Sequence, residues 1–166
     1  MTHLTIIGAG NMGRGIAHVA ARGGNTVTII DRNLSDAQTL AAEVQAAFPS
    51  ATVQAATLDQ PLTSEVIVLA VYHTAVQELT QQLKGQLTGK TVVDISNPLT
   101  ADFTCLAISG HTSAAEELAK LIPDSRVVKA FNTTFAGTLV EGQVAGQPLG
   151  LSLEMTTPRK RPSLSW

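Results

Sequence analysis

Gly8-Ala9-Gly10-Asn11-Met12-Gly13 is the stretch whose residue types and spacing point most directly to chemistry. It follows an apolar run, His3–Ile7, and opens a helical pattern that continues to Arg22. Between a strand and a helix, G-x-G-x-x-G is the arrangement that grips a pyrophosphate. Gly8 permits the tight turn out of the strand, Gly10 leaves no side chain between backbone and phosphate, and Gly13 lets the helix approach the strand. The helix start then offers free N–H groups and a partial positive charge to the anion. Ala9, Asn11 and Met12 complete the loop expected to hold a nicotinamide dinucleotide.

A second expected contact follows the next apolar run, Thr26–Ile30. Asp31 stands 18 residues after Gly13, near the roughly 20-residue spacing of a carboxylate that holds the adenosine ribose. An acid there favours NAD(H), because it accepts from the 2′-hydroxyl and repels a 2′-phosphate. Arg32 is of the type that stacks on adenine and pairs with a 2′-phosphate, which favours NADP(H). The two cues conflict and leave the choice open.

The nicotinamide half is expected at the ends of two later runs. Val66–Val71 finishes in Ala70-Val71-Tyr72-His73, and Thr91–Ile95 leads into Ser96-Asn97-Pro98. Small residues there let a ribose lie close to the backbone, and Asn97 offers a hydrogen bond to the ribose or carboxamide. His73 is either a proton donor or a helix-start residue of no chemical role. No nucleophile–base–acid set can be assembled, there is no G-x-S-x-G elbow, and His3, His18, His73 and His111 lack metal-ligand spacing. Cys105 has no CxxC partner and reads as a small buried hydrophobe. Hydride transfer needs less than those chemistries: two redox rings held at the right distance.

Elements that could position these residues alternate along the chain. Apolar runs at His3–Ile7, Thr26–Ile30, Val66–Val71, Thr91–Ile95 and Arg126–Ala130 are unalternating, as strands covered on both faces must be. Thr52–Ala55, which follows a helix and precedes a polar turn, reads as one more short strand. Helical stretches at Asn11–Arg22, Ser35–Ala47, Thr74–Leu87 and Thr112–Leu121 separate them. The pattern predicts an α/β single domain, a Rossmann-like doubly wound and mostly parallel sheet over residues 1–150. The length of 166 residues suits one core. A net charge of −2 gives no electrostatic case for nucleic acid or an anionic membrane. No apolar run is long enough to span a bilayer. One cysteine permits no internal disulfide, and with no recognisable signal peptide a cytoplasmic location is expected.

Residues 151–166 read differently, as an irregular tail with a basic cluster and prolines. One reading is a disordered tail. The other is that they are frameshifted: back-translation in a shifted frame permits a string such as TGDDAPQAAVIVM, a turn, helix start and apolar run that would extend the domain.

Taken together, GAGNMGRGIAHVAARGGNTVTI, DISNPLT and SAAEELAKLIPDSRVVKAFNTTFAGTL resemble the coenzyme F420-dependent NADP oxidoreductase family and the related cytosolic domain of six-transmembrane ferrireductases. The resemblance covers most of residues 4–150. It implies a Rossmann-like domain that passes hydride between NADP(H) and a deazaflavin or flavin-like acceptor, a small-molecule partner. It also implies that Gly8, Gly10 and Gly13, with Asn11 and Met12, hold the pyrophosphate and that Arg32 meets the 2′-phosphate. Ala70, Val71, Asn97 and Pro98 would flank the nicotinamide, and Ala130-Phe131-Asn132-Thr133 would line the acceptor cleft. Asp31 departs from the family, which carries a small residue and then a Ser-Arg or similar pair. The family continues past residue 150 with a strand, a G-D-D turn and a helix, which would supply part of the acceptor pocket and the surface of any homodimer. Two other functions compete: a binding or sensing module without turnover, and a hydroxyacid-dehydrogenase-like enzyme lacking its second domain.

Overall fold

The computed structural model describes residues 1–100, 102, 104–108, 112–144, 146–148 and 154–155. Its strands and helices alternate as β1 (His3–Ile7), α1 (Asn11–Arg22), β2 (Thr26–Ile30), α2 (Leu34–Ala47), β3 (Thr52–Ala56), β4 (Val66–Leu69), α3 (His73–Leu87), β5 (Thr91–Asp94), α4 (Ala114–Leu121), β6 (Arg126–Lys129) and α5 (Ala136–Glu141). Three two-residue strands follow: β7 (Gln143–Val144), β8 (Gln147–Pro148) and β9 (Glu154–Met155). The main sheet runs β3-β2-β1-β4-β5-β6, all parallel, with β9 antiparallel at the β6 edge. This is the expected Rossmann-like fold. Of the tail from residue 151 onwards, the structure describes only that β9 pairing, so the frameshift reading otherwise lies outside the described residues.

Side chains alternate across the sheet, and each face has its own core. Leu4, Ile6, Val27, Ile29, Val68, Val93 and Val128 pack with α1, α2 and Leu139 of α5. Ile7, Ile30, Ile67, Leu69, Val92 and Val127 pack with α3 and α4. Both faces being dry explains the continuous apolar runs.

The strand pairings also fix where the loops begin. Ala56, Ile30, Ile7, Leu69, Asp94 and Lys129 are partners in one lateral row that ends all six parallel strands. Strands β4, β5 and β6 are therefore shorter than the sequence runs suggest, and Ala70, Val71, Ile95 and Ala130 belong to loops. Helix α4 begins at Ala114 rather than Thr112 because Ser113 forms a capping box. Its Oγ accepts from the Glu116 N–H at 3.2 Å, and Glu116 Oε2 accepts from the Ser113 N–H at 2.8 Å.

Helix α5 carries no clear sequence signal. It has six residues, one fully buried side chain, Leu139, and an internal Gly137, too little for helical periodicity to show. Its partner is α1. A Cβ on Gly15 would sit 2.8 Å from Leu139 Cβ and 2.9 Å from the Ala136 carbonyl oxygen. Arg22 donates to the Val140 carbonyl at 2.6 Å, and Gly142 closes the helix in the left-handed region.

On its other side α1 is tied to α2 by charge. Glu43 Oε1 lies 2.7 Å from Arg14 Nε and 2.8 Å from His18 Nε2. Burial raises the Glu43 carboxyl, but the hydrogen bonds from His18 and Arg14 and their charges outweigh it and hold its pKa below the ordinary glutamate value. A depressed folded pKa contributes stability above the unfolded value and loses it as pH falls through the folded one. With Glu43 a third exposed, the expected loss is below about 1 kcal/mol. Thermal melts of the wild type and Glu43→Gln between neutral pH and pH near 4 should converge on acidification; a constant difference rules the linkage out.

Candidate functional site

The even strand ends place the candidate residues side by side. Gly8 leaves β1 at φ +117°, a conformation open to glycine at little cost. Its N–H donates to the Ile30 carbonyl at 2.7 Å, and the Ala70 N–H donates to the Ile7 carbonyl at 2.8 Å. The turn is thus stitched to both neighbouring strands. A Cβ on Gly8 would lie 2.2 Å from the Ala70 carbonyl oxygen, and one on Gly13 would lie 1.9 Å from the Gly8 oxygen. Gly10 is the opposite case. It caps α1 in extended geometry, φ −70° and ψ −174°, and a Cβ there would meet no atom within 4 Å. Two glycines are closed in by protein and the third faces open space. That division fits a loop whose middle glycine leaves room for a phosphate group at a helix start.

Asn11 is exposed and Met12 is half-buried against the core of the α1 face. Met12 therefore offers the site its backbone, not its thioether. Asp31 reaches back to the loop: Oδ2 accepts from the Ala9 N–H at 2.8 Å and Oδ1 from the Asn33 N–H at 3.1 Å. Each carboxylate oxygen keeps a second lone pair, enough to receive ribose hydroxyls. Arg32 is exposed, and none of the ion pairs among the described residues involves it.

Val71 lies next to the phosphate loop, its Cγ1 3.4 Å from the position of a Cβ on Gly8. Tyr72 caps α3 and His73 is its first residue. His73 Nδ1 is buried without a hydrogen-bond partner, as is Ser96 Oγ beyond β5. Buried polar atoms are seldom left unpaired, and both of these stand just beyond the carboxyl ends of adjacent strands, where a doubly wound sheet takes its ligand. The open space at Gly10 and these two unpartnered atoms are compatible with a bound dinucleotide. Asn97 is exposed and Pro98 half-buried, and Pro98 accepts from the Ala107 N–H at 2.8 Å in a turned-back loop.

One pair escapes sequence reasoning. Lys129 and Asp94 end β6 and β5 as cross-strand partners, with Nζ 2.8 Å from Oδ2. The available signal was a charge of each sign closing two apolar runs, TVVD and RVVK. Beyond Lys129, Phe131 adopts φ 61°, alone among the described non-glycine residues in having a positive value. Cys105, expected to be a small buried hydrophobe, is instead exposed in the loop after β5. Among the described residues no group of histidine, cysteine and acidic side chains could hold a metal ion, and no helix is long and apolar enough to cross a membrane.

Comparison with known proteins agrees with this geometry. The family described as NADP oxidoreductase, coenzyme F420-dependent, matches residues 3–98. A metalloreductase of Rattus norvegicus, STEAP3, is 34% identical over 140 residues, covering 82% of this chain and 26% of the relative. Glycerol-3-phosphate dehydrogenase [NAD(P)+] of Pseudoalteromonas translucida (strain TAC 125) is 28% identical over 162 residues, covering 83% of this chain and 48% of that protein. The chain thus spans about a quarter and about half the length of these two curated relatives. Among solved structures, a candidate F420-dependent NADP reductase from Arthrobacter sp. FB24 superposes with TM-score 0.74 at 27% identity, covering 95% of this chain and 75% of that one.

Proposed function

Because the chain belongs to the coenzyme F420-dependent NADP oxidoreductase family, we propose that it moves a hydride between a nicotinamide dinucleotide and a planar acceptor, a deazaflavin or flavin. The observation that carries this reading is the open space at Gly10 on the α1 N-terminus, continued along the strand ends by the unpartnered His73 Nδ1 and Ser96 Oγ. The nicotinamide supplies the hydride. The protein holds the pyrophosphate on the α1 N–H groups, the adenosine ribose on Asp31, and the nicotinamide side near Ala70, Val71, His73, Asn97 and Pro98.

The acceptor side is apolar. Tyr72, Leu106 and Phe135 are strongly exposed, and they lie in the loops after β4, β5 and β6, three neighbouring strands. Exposed large apolar side chains gathered at one end of a fold suit contact with a flat ring better than with a small charged substrate. Stopped-flow mixing of the NADPH-loaded protein with FMN and with a 5-deazaflavin should show absorbance loss at the reduced nicotinamide band. Tight NADPH binding with no transfer to either would favour a binding module instead.

Asp31 should set the cofactor preference. A carboxylate about 4 Å from a 2′-phosphate costs about 4 kcal/mol at an effective dielectric of about 20. Asp31→Ser is expected to raise the NADP(H)-to-NAD(H) affinity ratio at least about tenfold, with NAD(H) binding weakened as the ribose contact is lost. Titration calorimetry with both cofactors reads the ratio, and an unchanged ratio would show that Asp31 serves only the Ala9 and Asn33 N–H groups.

A further inference from the structure

The geometry points to Lys129 as a positioning residue, which through Asp94 sets two loops, 96–98 and 131–133, against the reacting rings; this rests on the dinucleotide reading above. Asp94 is 1% exposed, and a buried carboxylate needs a full set of partners. It finds them locally. Oδ1 accepts from the Ser96 N–H at 2.9 Å, and Oδ2 accepts from Lys129 Nζ at 2.8 Å. Lys129 Nζ also donates to the Ser96 carbonyl oxygen. Both backbone groups of Ser96 are therefore held by one ion pair, and Asn97 and Pro98 leave the sheet from a fixed point.

The neighbouring turn starts two residues beyond Lys129 and is tied to the same strand end through backbone. The Ala130 N–H donates to the Asp94 carbonyl at 3.2 Å, and the Thr134 N–H donates to that of Phe131 at 3.2 Å. Between these bonds Phe131 holds φ 61°, a conformation that a bulky side chain keeps only where its surroundings over-determine it. Asn132 and Thr133, both exposed, follow directly. Two of the three ammonium protons of Lys129 are engaged by Asp94 and Ser96, so its role is to hold backbone, not to exchange protons. A side chain joining the ends of β5 and β6 controls the spacing between the nicotinamide-side and acceptor-side loops. Hydride transfer is steeply sensitive to that spacing, whereas grip on the adenosine half is not.

The experiment separates those two halves. Wild type, K129M, K129R and the neutral pair D94N/K129M are compared for thermal stability, for affinity toward 2′,5′-ADP, for the fluorescence enhancement of bound NADPH, and for single-turnover oxidation by FMN and a 5-deazaflavin. Folded K129M should bind 2′,5′-ADP within about twofold of wild type. It should also lose NADPH fluorescence enhancement and transfer hydride at least about tenfold more slowly, since a 1 Å misplacement can cost about a hundredfold. K129R should recover most of the rate. Transfer by K129M within about twofold of wild type overturns the proposal, as does a parallel loss of 2′,5′-ADP affinity. If K129M does not fold, D94N/K129M carries the same expectations without a stranded buried charge; failure of both to fold makes the pair a stability element and overturns the positioning role. Wild-type protein that binds no dinucleotide sinks the dinucleotide reading itself and this inference with it, an outcome distinct from a K129M that behaves as wild type.

Discussion

Gly10→Val is expected to lose nicotinamide-dinucleotide binding while keeping its fold. The two effects separate because of where Gly10 sits. Its φ of −70° is open to any residue, and a Cβ there meets nothing within 4 Å. Valine is a poor helix cap, which costs up to about 1 kcal/mol, or about 2–4 °C in Tm for a chain of this size. The isopropyl group, however, fills the space assigned to the pyrophosphate. Losing two charge-assisted hydrogen bonds of about 1.5–3 kcal/mol each weakens binding at least about a hundredfold. Fluorescence titration with NADPH and NADH beside a thermal melt reads both quantities, and wild-type affinity in the variant would refute the loop assignment.

Gly8→Ala and Gly13→Ala should do the reverse, damaging the fold first. Alanine at residue 8 must adopt φ near +117° with its methyl 2.2 Å from the Ala70 carbonyl oxygen. At residue 13 the methyl would stand 1.9 Å from the Gly8 oxygen. In both cases the obstacle is backbone, which cannot rotate aside as a flexible side chain would. Relief requires β1 to move from β4, or α1 from β1, at the centre of both cores. Each variant is expected to lose about 3 kcal/mol or more of stability, measured by denaturant unfolding. A loss below about 1 kcal/mol for either would mean that the turn is looser than its close contacts imply.

These contrasts show which features sequence reasoning could reach. The phosphate loop was legible because its three glycines answer local demands, namely a turn, a close approach and a helix start. Five of the six parallel strands were legible because burial on both faces leaves Val and Ile runs, whereas β3, an edge strand without a buried residue, showed only by its place after a helix. The ends of β1 and β2 were read to the residue, but those of β3 to β6 were not, since the row from Ala56 to Lys129 is set by pairing between strands far apart in sequence. Helix α5 was missed for a related reason. Its stability comes from Gly15 and Arg22 of α1 rather than from its own composition. Lys129 and Asp94, 35 residues apart, become a pair only when β5 and β6 align. Phe131 shows the same limit. Nothing in its residue type suggests a left-handed backbone, which follows from bonds made by its neighbours.

Strand β1 lies near the middle of the sheet yet comes before its other strands in chain order. One of its edges is covered in order, as β2 and β3 follow through α1 and α2. Its other edge, the backbone of Leu4 to Ile7, stays unpaired until β4 is made, and a bare strand edge invites pairing with another nascent chain. The β3–β4 connection, residues 57–65, contains no helix, unlike the connections on either side. At about 5–20 residues per second on the ribosome, that brevity adds only about a second or two to the time the edge waits for β4. Lengthening this connection with a flexible insert should therefore lower the yield of folded chain during synthesis more than it lowers the stability of the finished protein.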